Sequence, residues 1–260
     1  SAVANIIQFP GTRQTALQRV QSSYSLRDVQ KQFGISEKLL RKWAEAGAVE
    51  TVPGKEGEIR FGLGALARFR SIREERTRGK TLKQIDEEMR GQLDLFASRP
   101  SGIVRSLSEK RTPFEEGLIL LDRGDASAAS FFQKALEQDD HRADAHCNLG
   151  ILAFESGDVP GAMTEFIRAL ESEPGHFESH YDLGNLYFDA GNLPLAQMHF
   201  ETAARIEPEY ADTFFNLGLL YARLENWKKS KECFERYTAF EDTDHGEAVK
   251  EILKHLEQQT

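Results

Sequence analysis

The chain is poor in cysteine. It has only Cys147 and Cys233, with no CxxC and no histidine at a metal-ligand spacing. That excludes a disulfide scaffold and a zinc ribbon or finger, and leaves two reduced cytosolic thiols packed in helices as the expectation. It has no apolar run long enough to span a membrane. It also has no stretch that reads as a secretory signal, so a cytoplasmic protein is expected. A nucleotide-binding loop, a metal-ligand cluster and a nucleophile–base pattern are all missing. His141, His146, His176, His180, His199, His245 and His255 are scattered over helical segments and read as surface or packing residues. The expectation is a protein that is not an enzyme and holds neither a cofactor nor a metal.

What is present is an uneven charge. Residues 1–100 carry 18 Lys/Arg and 12 Asp/Glu, a balance of +6, and residues 101–260 carry 15 and 30, a balance of −15, which together give the net −9. A basic first part suits a polyanion and an acidic remainder repels one, so the chain reads as two modules with different partners.

The acidic part has a period. Asn148-Leu149-Gly150, Asp182-Leu183-Gly184 and Asn216-Leu217-Gly218 recur every 34 residues. Aligned on these glycines, Ala162, Phe166, Ala169 and Pro174 match Ala196, Phe200, Ala203 and Pro208, then Ser230, Phe234 and Tyr237. Gly117, Gly124, Phe132 and Ala135 fit a degenerate first unit, one residue shorter in its turn. The pattern resembles the tetratricopeptide repeat, in which pairs of helices stack into a solenoid. After the fourth unit, Ala248, Val249, Ile252, Leu253 and Leu256 predict the apolar stripe of a capping helix.

That resemblance implies a concave groove lined by the first helix of each pair. The lining residues here are Cys147, Asn148 and Ile151, then Tyr181, Asp182 and Asn185, then Phe215, Asn216 and Leu219. Asp144, Glu178 and Asp212 form an acidic column beside them. The Lys and Arg residues with which one subclass clamps a C-terminal carboxylate are absent. The groove therefore suits a protein or peptide partner of basic character.

In the basic part, Ser25 and Asp28 read as a capping box for a helix that buries Leu26, Val29 and Phe33. Gly34-Ile35-Ser36 reads as a tight turn, with Ser36 able to cap a second helix from Glu37 to Glu45. Val52 to Phe61 has the turn chemistry of a two-stranded wing. The order "SLRDVQKQFGISEKLLRKWAEAGAV", wing, "GKTLKQI" resembles the mercury-resistance-regulator (MerR) winged-helix family over residues 24–90. The resemblance implies double-stranded DNA as partner. Arg41 matches the recognition-helix Arg, Trp43 an aromatic two residues on, and Arg60 the wing Arg. Lys42 replaces a frequent Tyr, and Ser36, Lys38 and Lys55 complete the candidate DNA-facing set. The family's effector sites are absent, and Gly91 and Pro100 are expected to break the helix through which it dimerises, so a homo-oligomer is left open.

Within the expected linker, Gln92-Leu93-Asp94-Leu95-Phe96 looks like the bacterial sliding-clamp docking pentapeptide, an extended segment whose Leu and Phe enter an apolar pocket. Packing on the winged domain is the plainer account of the same residues.

The fold class read from the sequence is mainly α: a winged helix-turn-helix domain with a small β wing, then an α-solenoid of tetratricopeptide helix pairs. The expected boundaries are a tail at 1–23, the winged domain at 24–91, a linker at 92–109, four repeats at 110–244 and a capping helix at 245–260. The function expected is that of a bacterial DNA-binding transcriptional regulator whose array binds a protein partner. The alternative is an interaction scaffold whose winged domain docks protein, with a link to replication or repair through the pentapeptide.

Overall fold

A computed structural model describes residues 17, 21, 23–54, 58–97, 111–240 and 245–257. Most of the tail, the wing tip with Lys55, and residues 98–110 lie outside the described residues.

The first domain comprises β1 (Ser23–Ser25), α1 (Leu26–Phe33), α2 (Glu37–Glu45), β2 (Thr51–Pro53), β3 (Ile59–Gly62), α3 (Leu63–Thr77) and α4 (Leu82–Ala97). The capping box is formed: Ser25 Oγ accepts from the Asp28 amide at 3.1 Å, and the Asp28 carboxylate accepts from the Ser25 amide at 2.7 Å. Gly34 closes α1 in the left-handed region, φ 61°. Ser36 stands at the N-cap of α2, but its side chain makes no capping bond, which corrects its reading as a cap.

The sheet has three antiparallel strands in the order β1-β3-β2, with Tyr24 opposite Phe61 and Val52 opposite Arg60. The wing is thus joined by a strand from before the first helix. Tyr24, Phe33, Trp43, Phe61 and Phe69 fill the core under it, each at most 2% exposed. Burying each such ring contributes on the order of 1.5–3 kcal/mol.

Helix α4 runs through Gly91 to Ala97. A Gly inside a helix costs about 1 kcal/mol relative to Ala, which a helix anchored by buried Ile85 and Met89 tolerates. The expected break at Gly91 is therefore corrected. Residues 92–96 form the last turns of a helix, not the extended segment that the docking pentapeptide requires.

The second domain is a stack of paired helices: α5 (Pro113–Asp122) with α6 (Ala128–Glu137), α7 (Arg142–Glu155) with α8 (Val159–Ser172), α9 (Phe177–Asp189) with α10 (Leu193–Ile206), and α11 (Ala211–Arg223) with α12 (Trp227–Thr238). Helix α13 (Gly246–Glu257) closes it. The 34-residue period has a steric cause. A Cβ on Gly150, Gly184 or Gly218 would lie 2.7, 2.6 or 2.5 Å from the ring of Phe166, Phe200 or Phe234. Gly117 faces Phe132 in the same way at 2.8 Å, so the degenerate first unit keeps the contact. The last three of the second helices, α8, α10 and α12, start on side-chain caps, Asp158, Asn192 and Asn226, each accepting from an amide three residues on. In α13, Val249, Ile252 and Leu256 are buried, whereas Ala248 is exposed and does not belong to the stripe. The Tyr237 hydroxyl accepts from the His245 amide and ties this helix to the stack.

Candidate functional site

Helix α2 presents the first cluster. Lys38 and Arg41 are exposed, and Arg41 pairs with Glu37 one turn back at 2.7 Å. Lys42 reaches Asp86 of α4 at 2.6 Å. Trp43 is 1% exposed, and its indole N–H donates to the same Asp86 at 2.9 Å. Trp43 therefore drops out of the DNA-facing set: it is a core residue that anchors α2 to α4. Burial opposes the charge on Asp86, but the hydrogen bonds from Lys42, Trp43 and Arg90 outweigh it and bring its carboxyl down to about 2. Arg60 is tied to the sheet, donating to Ser23 Oγ at 2.9 Å and to the Ser23 carbonyl at 3.1 Å. Arg41 with Glu37, Lys42 with Asp86 and Arg60 with Ser23 are all pairings inside the first domain.

Helix α3 presents a second cluster, and here the partners are on the solenoid. Arg70 reaches both Asp144 and Glu178 at 3.3 Å. Arg73 pairs with Glu207 and Arg76 with Glu209, the latter at 3.9 Å. Lys31 of α1 meets Asp212 at 2.9 Å. The Glu209 side chain lies against Gly34, where a Cβ would meet it at 2.8 Å. Hence the acidic column of the groove is covered by the basic face of the first domain. A cleft of about 490 Å³ remains at one end, between Phe33, Arg73, Arg76 and Lys80 on one side and Glu207 and Glu209 on the other.

These charges are largely removed from water: the side chains of Arg70, Asp144 and Glu178 are 23%, 8% and 3% exposed. Burial opposes the charge on Arg70, and Glu178 and Asp144 more than offset it, so its pKa is raised. Burial likewise opposes ionisation of Asp144. Hydrogen bonds with His141 and His176, together with Arg70, reverse this and hold its carboxyl well below the ordinary 3.8. His176 is fully enclosed, 3.0 Å from Asp144 and 3.6 Å from Glu178. Burial lowers its pKa, and the two carboxylates, Glu178 foremost, turn the balance upward. Two carboxylates thus share one guanidinium and two imidazoles, an arrangement that is stable only while every member stays paired.

Residues 24–92 match the family described as MerR HTH family regulatory protein. Residues 114–178 and 211–242 match families described as tetratricopeptide repeat, and residues 184–225 a third described as TPR repeat. The chain joins a MerR-type helix-turn-helix domain to a tetratricopeptide array. Among solved structures, it is similar to one titled MamA AMB-1, at 18% identity over 56% of this chain and 80% of that one, with a TM-score of 0.48. It is also similar to a thermophilic TPR protein of Thermus thermophilus, at 23% identity, 56% and 80% coverage and a TM-score of 0.42. A third is YrrB, titled a TPR protein with an unusual peptide-binding site, at 20% identity, 74% and 89% coverage and a TM-score of 0.43. No match was found among curated proteins.

Within the tetratricopeptide array, the groove residues named from the sequence do come together, but most are enclosed. Cys147, Asn148, Ile151, Asp182 and Asn185 are at most 3% exposed. Asn216 donates to Tyr181 Oη at 3.0 Å and to Asn185 Oδ1 at 3.2 Å, so these three make one polar ladder along the stack. Phe215 stacks on His245 at 4.6 Å and packs against Tyr237, which makes it a link to the end of the array and not a free groove anchor. Leu219 is buried in the same core.

Sequence reasoning missed Arg70, Arg73, Arg76, Glu207 and Glu209. One signal was available. Asp144, Glu178 and Asp212 recur at the 34-residue period, and Arg70, Arg73 and Arg76 recur every third residue on a helix whose apolar residues are Ala65, Leu66, Phe69 and Ile72.

Proposed function

We propose that this chain is a cytoplasmic DNA-binding transcription regulator whose tetratricopeptide array recruits a protein partner. One observation carries the DNA half. In a domain that matches the MerR helix-turn-helix family, Lys38 and Arg41 stand exposed on the helix that follows the turn, and the wing residue Arg60 is held by Ser23 of the same domain. Exposed Lys and Arg at such a helix neutralise phosphates or meet guanine in the major groove. The array supplies the second half: helical repeats commonly hold proteins, and its acidic column, Asp144, Glu178 and Asp212, already meets cations of another domain.

Selection of bound duplexes from random DNA with the full chain, followed by gel shifts over a salt series, tests this. The expected result is an enriched sequence whose log affinity falls linearly with log salt, by about 0.9 per phosphate neutralised. No retardation at low salt on any duplex would defeat the DNA reading. The scaffold reading would then take its place, and it has an observation of its own: helix α3 of the winged domain already docks a protein surface, the array.

A further inference from the structure

The groove of the array is not empty in this chain. Most of its acidic lining is held by one helix, α3, through three arginines at i, i+3 and i+6: Arg70 meets Asp144 and Glu178 of the column, and Arg73 and Arg76 meet Glu207 and Glu209 beside it, while Lys31 of α1 holds Asp212. Residues at that spacing step back by about 60° each around an α-helix, so the three arginines form an inclined ridge spanning about a third of its circumference. Their acceptors on the array come from the starts of successive repeats: Asp144 from α7, Glu178 from α9, and Glu207 and Glu209 from the turn between α10 and α11. The acceptor set is thus a ladder, and its occupant is a basic helix lying across it. The apolar side of α3 (Leu66, Phe69 and Ile72) points instead into the winged domain's own core. Recognition by the groove is therefore carried by charge, with little apolar contact from α3.

We infer that the array's partner is a protein helix carrying arginines at this same spacing, and that the partner and the winged domain exclude one another from the groove. This rests on the reading of the array as a protein-binding module and adds the ligand class and the competitor. Two physical points support it. Glu178 and Glu207 are 2% and 1% exposed, and a buried carboxylate must be paired with a cation. An incoming ligand that displaces α3 and buries these acids again must therefore supply cations in the same places, and guanidinium, with its planar fork of donors, is the group that fits. Secondly, Arg70 already occupies the place between Asp144 and Glu178 from adjacent repeats, so a second guanidinium takes that place only when Arg70 leaves it. A partner that enters releases the winged domain from the array, and a docked winged domain keeps the groove closed.

The test uses the full chain and a defined probe: a soluble alanine-rich helical peptide carrying three arginines at the spacing of Arg70, Arg73 and Arg76, with a glutamine-substituted copy as control. Binding is measured by calorimetry at low salt to the wild type and to an Arg70→Glu/Arg73→Glu variant, which keeps every groove acid but expels α3. A circular dichroism melt verifies that the variant is folded, and Arg70→Ala/Arg73→Ala replaces it if it is not. The expected result is that the arginine peptide binds the variant at least about tenfold more tightly than the wild type, since the docked state leaves only a fraction of molecules competent. The glutamine peptide should bind neither. Equal affinity for both proteins would overturn the exclusion while leaving the array a protein-binding module. No binding to either folded variant would overturn the ligand class, and the DNA-binding half of the proposed function would be untouched by either failure.

Discussion

Helices α2 and α3 belong to one domain and carry nearly the same chemistry, yet their charges meet different fates. On α2, Lys38 and Arg41 stay exposed, and Arg41 and Lys42 find their partners, Glu37 and Asp86, inside the domain. On α3, Arg70, Arg73 and Arg76 are mostly buried and find their partners on the array, more than 70 residues away. The comparison shows that the +6 balance of the first hundred residues is not all directed at one polyanion. Part of it is neutralised by acids within the chain, those of the groove, while Lys38 and Arg41 of α2 stay exposed.

The largest expected effect breaks the α3 side. Arg73→Glu sets two carboxylates against each other at the buried Glu207. Breaking a buried pair commonly costs about 3–5 kcal/mol, but here the loss is capped by the free energy of docking, because once the domains part both acids are hydrated. Hydrogen exchange should accelerate in α3 and at the starts of α9 and α11, and Arg41→Glu should leave those segments unchanged.

Next comes the anchor of α2. Asp86→Ala removes the acceptor of the buried Trp43 indole and of Lys42. It should cost about 1–3 kcal/mol in urea unfolding of the winged domain, the usual penalty for a buried donor left without a partner. Trp43 fluorescence should report the transition.

Arg41→Ala and Arg70→Ala should separate the helices by ligand. The first should weaken DNA binding by ~1–3 kcal/mol if Arg41 reads a base, with relaxed sequence choice, or lower the salt slope by about one if it holds a phosphate. The second should not weaken DNA binding. Gel shifts of both variants on one selected duplex decide it.

The contrast also separates what was legible in the sequence from what was not. The array was legible because Gly184 against Phe200, and its three counterparts, impose a spacing that recurs. The helix-turn-helix was legible because Ser25, Asp28 and Gly34 act locally, within one turn of where they stand. Strand β1 was not, since three residues are too few to establish a period, and it pairs with residues more than 30 positions away. The burial of Trp43 depends on Asp86, 43 positions on, and the docking of α3 on acids 74 to 134 positions on; neither leaves a periodic trace. Gly91 misled because a breaker inside a well-anchored helix costs less than the helix gains.

The smallest effects are titrations, and they contrast two histidines of the array. His176, between Asp144 and Glu178, has a raised pKa, whereas burial, aided by His180, depresses His199 to about 4. The signs differ. The His176 contribution is complete below the ordinary 6.5 and is lost as pH rises through its raised value. The His199 contribution is complete above 6.5 and is lost as pH falls towards 4. The depressed carboxyls of Asp144 and Glu178 stabilise fully above their ordinary 3.8 and 4.5 and lose that effect in stronger acid. Residue-resolved NMR titration should show His176 charging at a pH where His199 is still neutral.

The central claim is that the winged domain lies in the groove, held there by the arginines of α3. Pulsed electron resonance between spin labels at Lys38 and Met198, both exposed, measures this directly in a Cys233→Ser background where Cys147 is buried. A single narrow distance distribution is expected for the otherwise wild-type chain, a broad one for Arg73→Glu, and recovery of the narrow one for the charge-exchanged pair Arg73→Glu/Glu207→Arg. A broad distribution without any charge substitution, or a narrow one that Arg73→Glu leaves unchanged, would contradict the account.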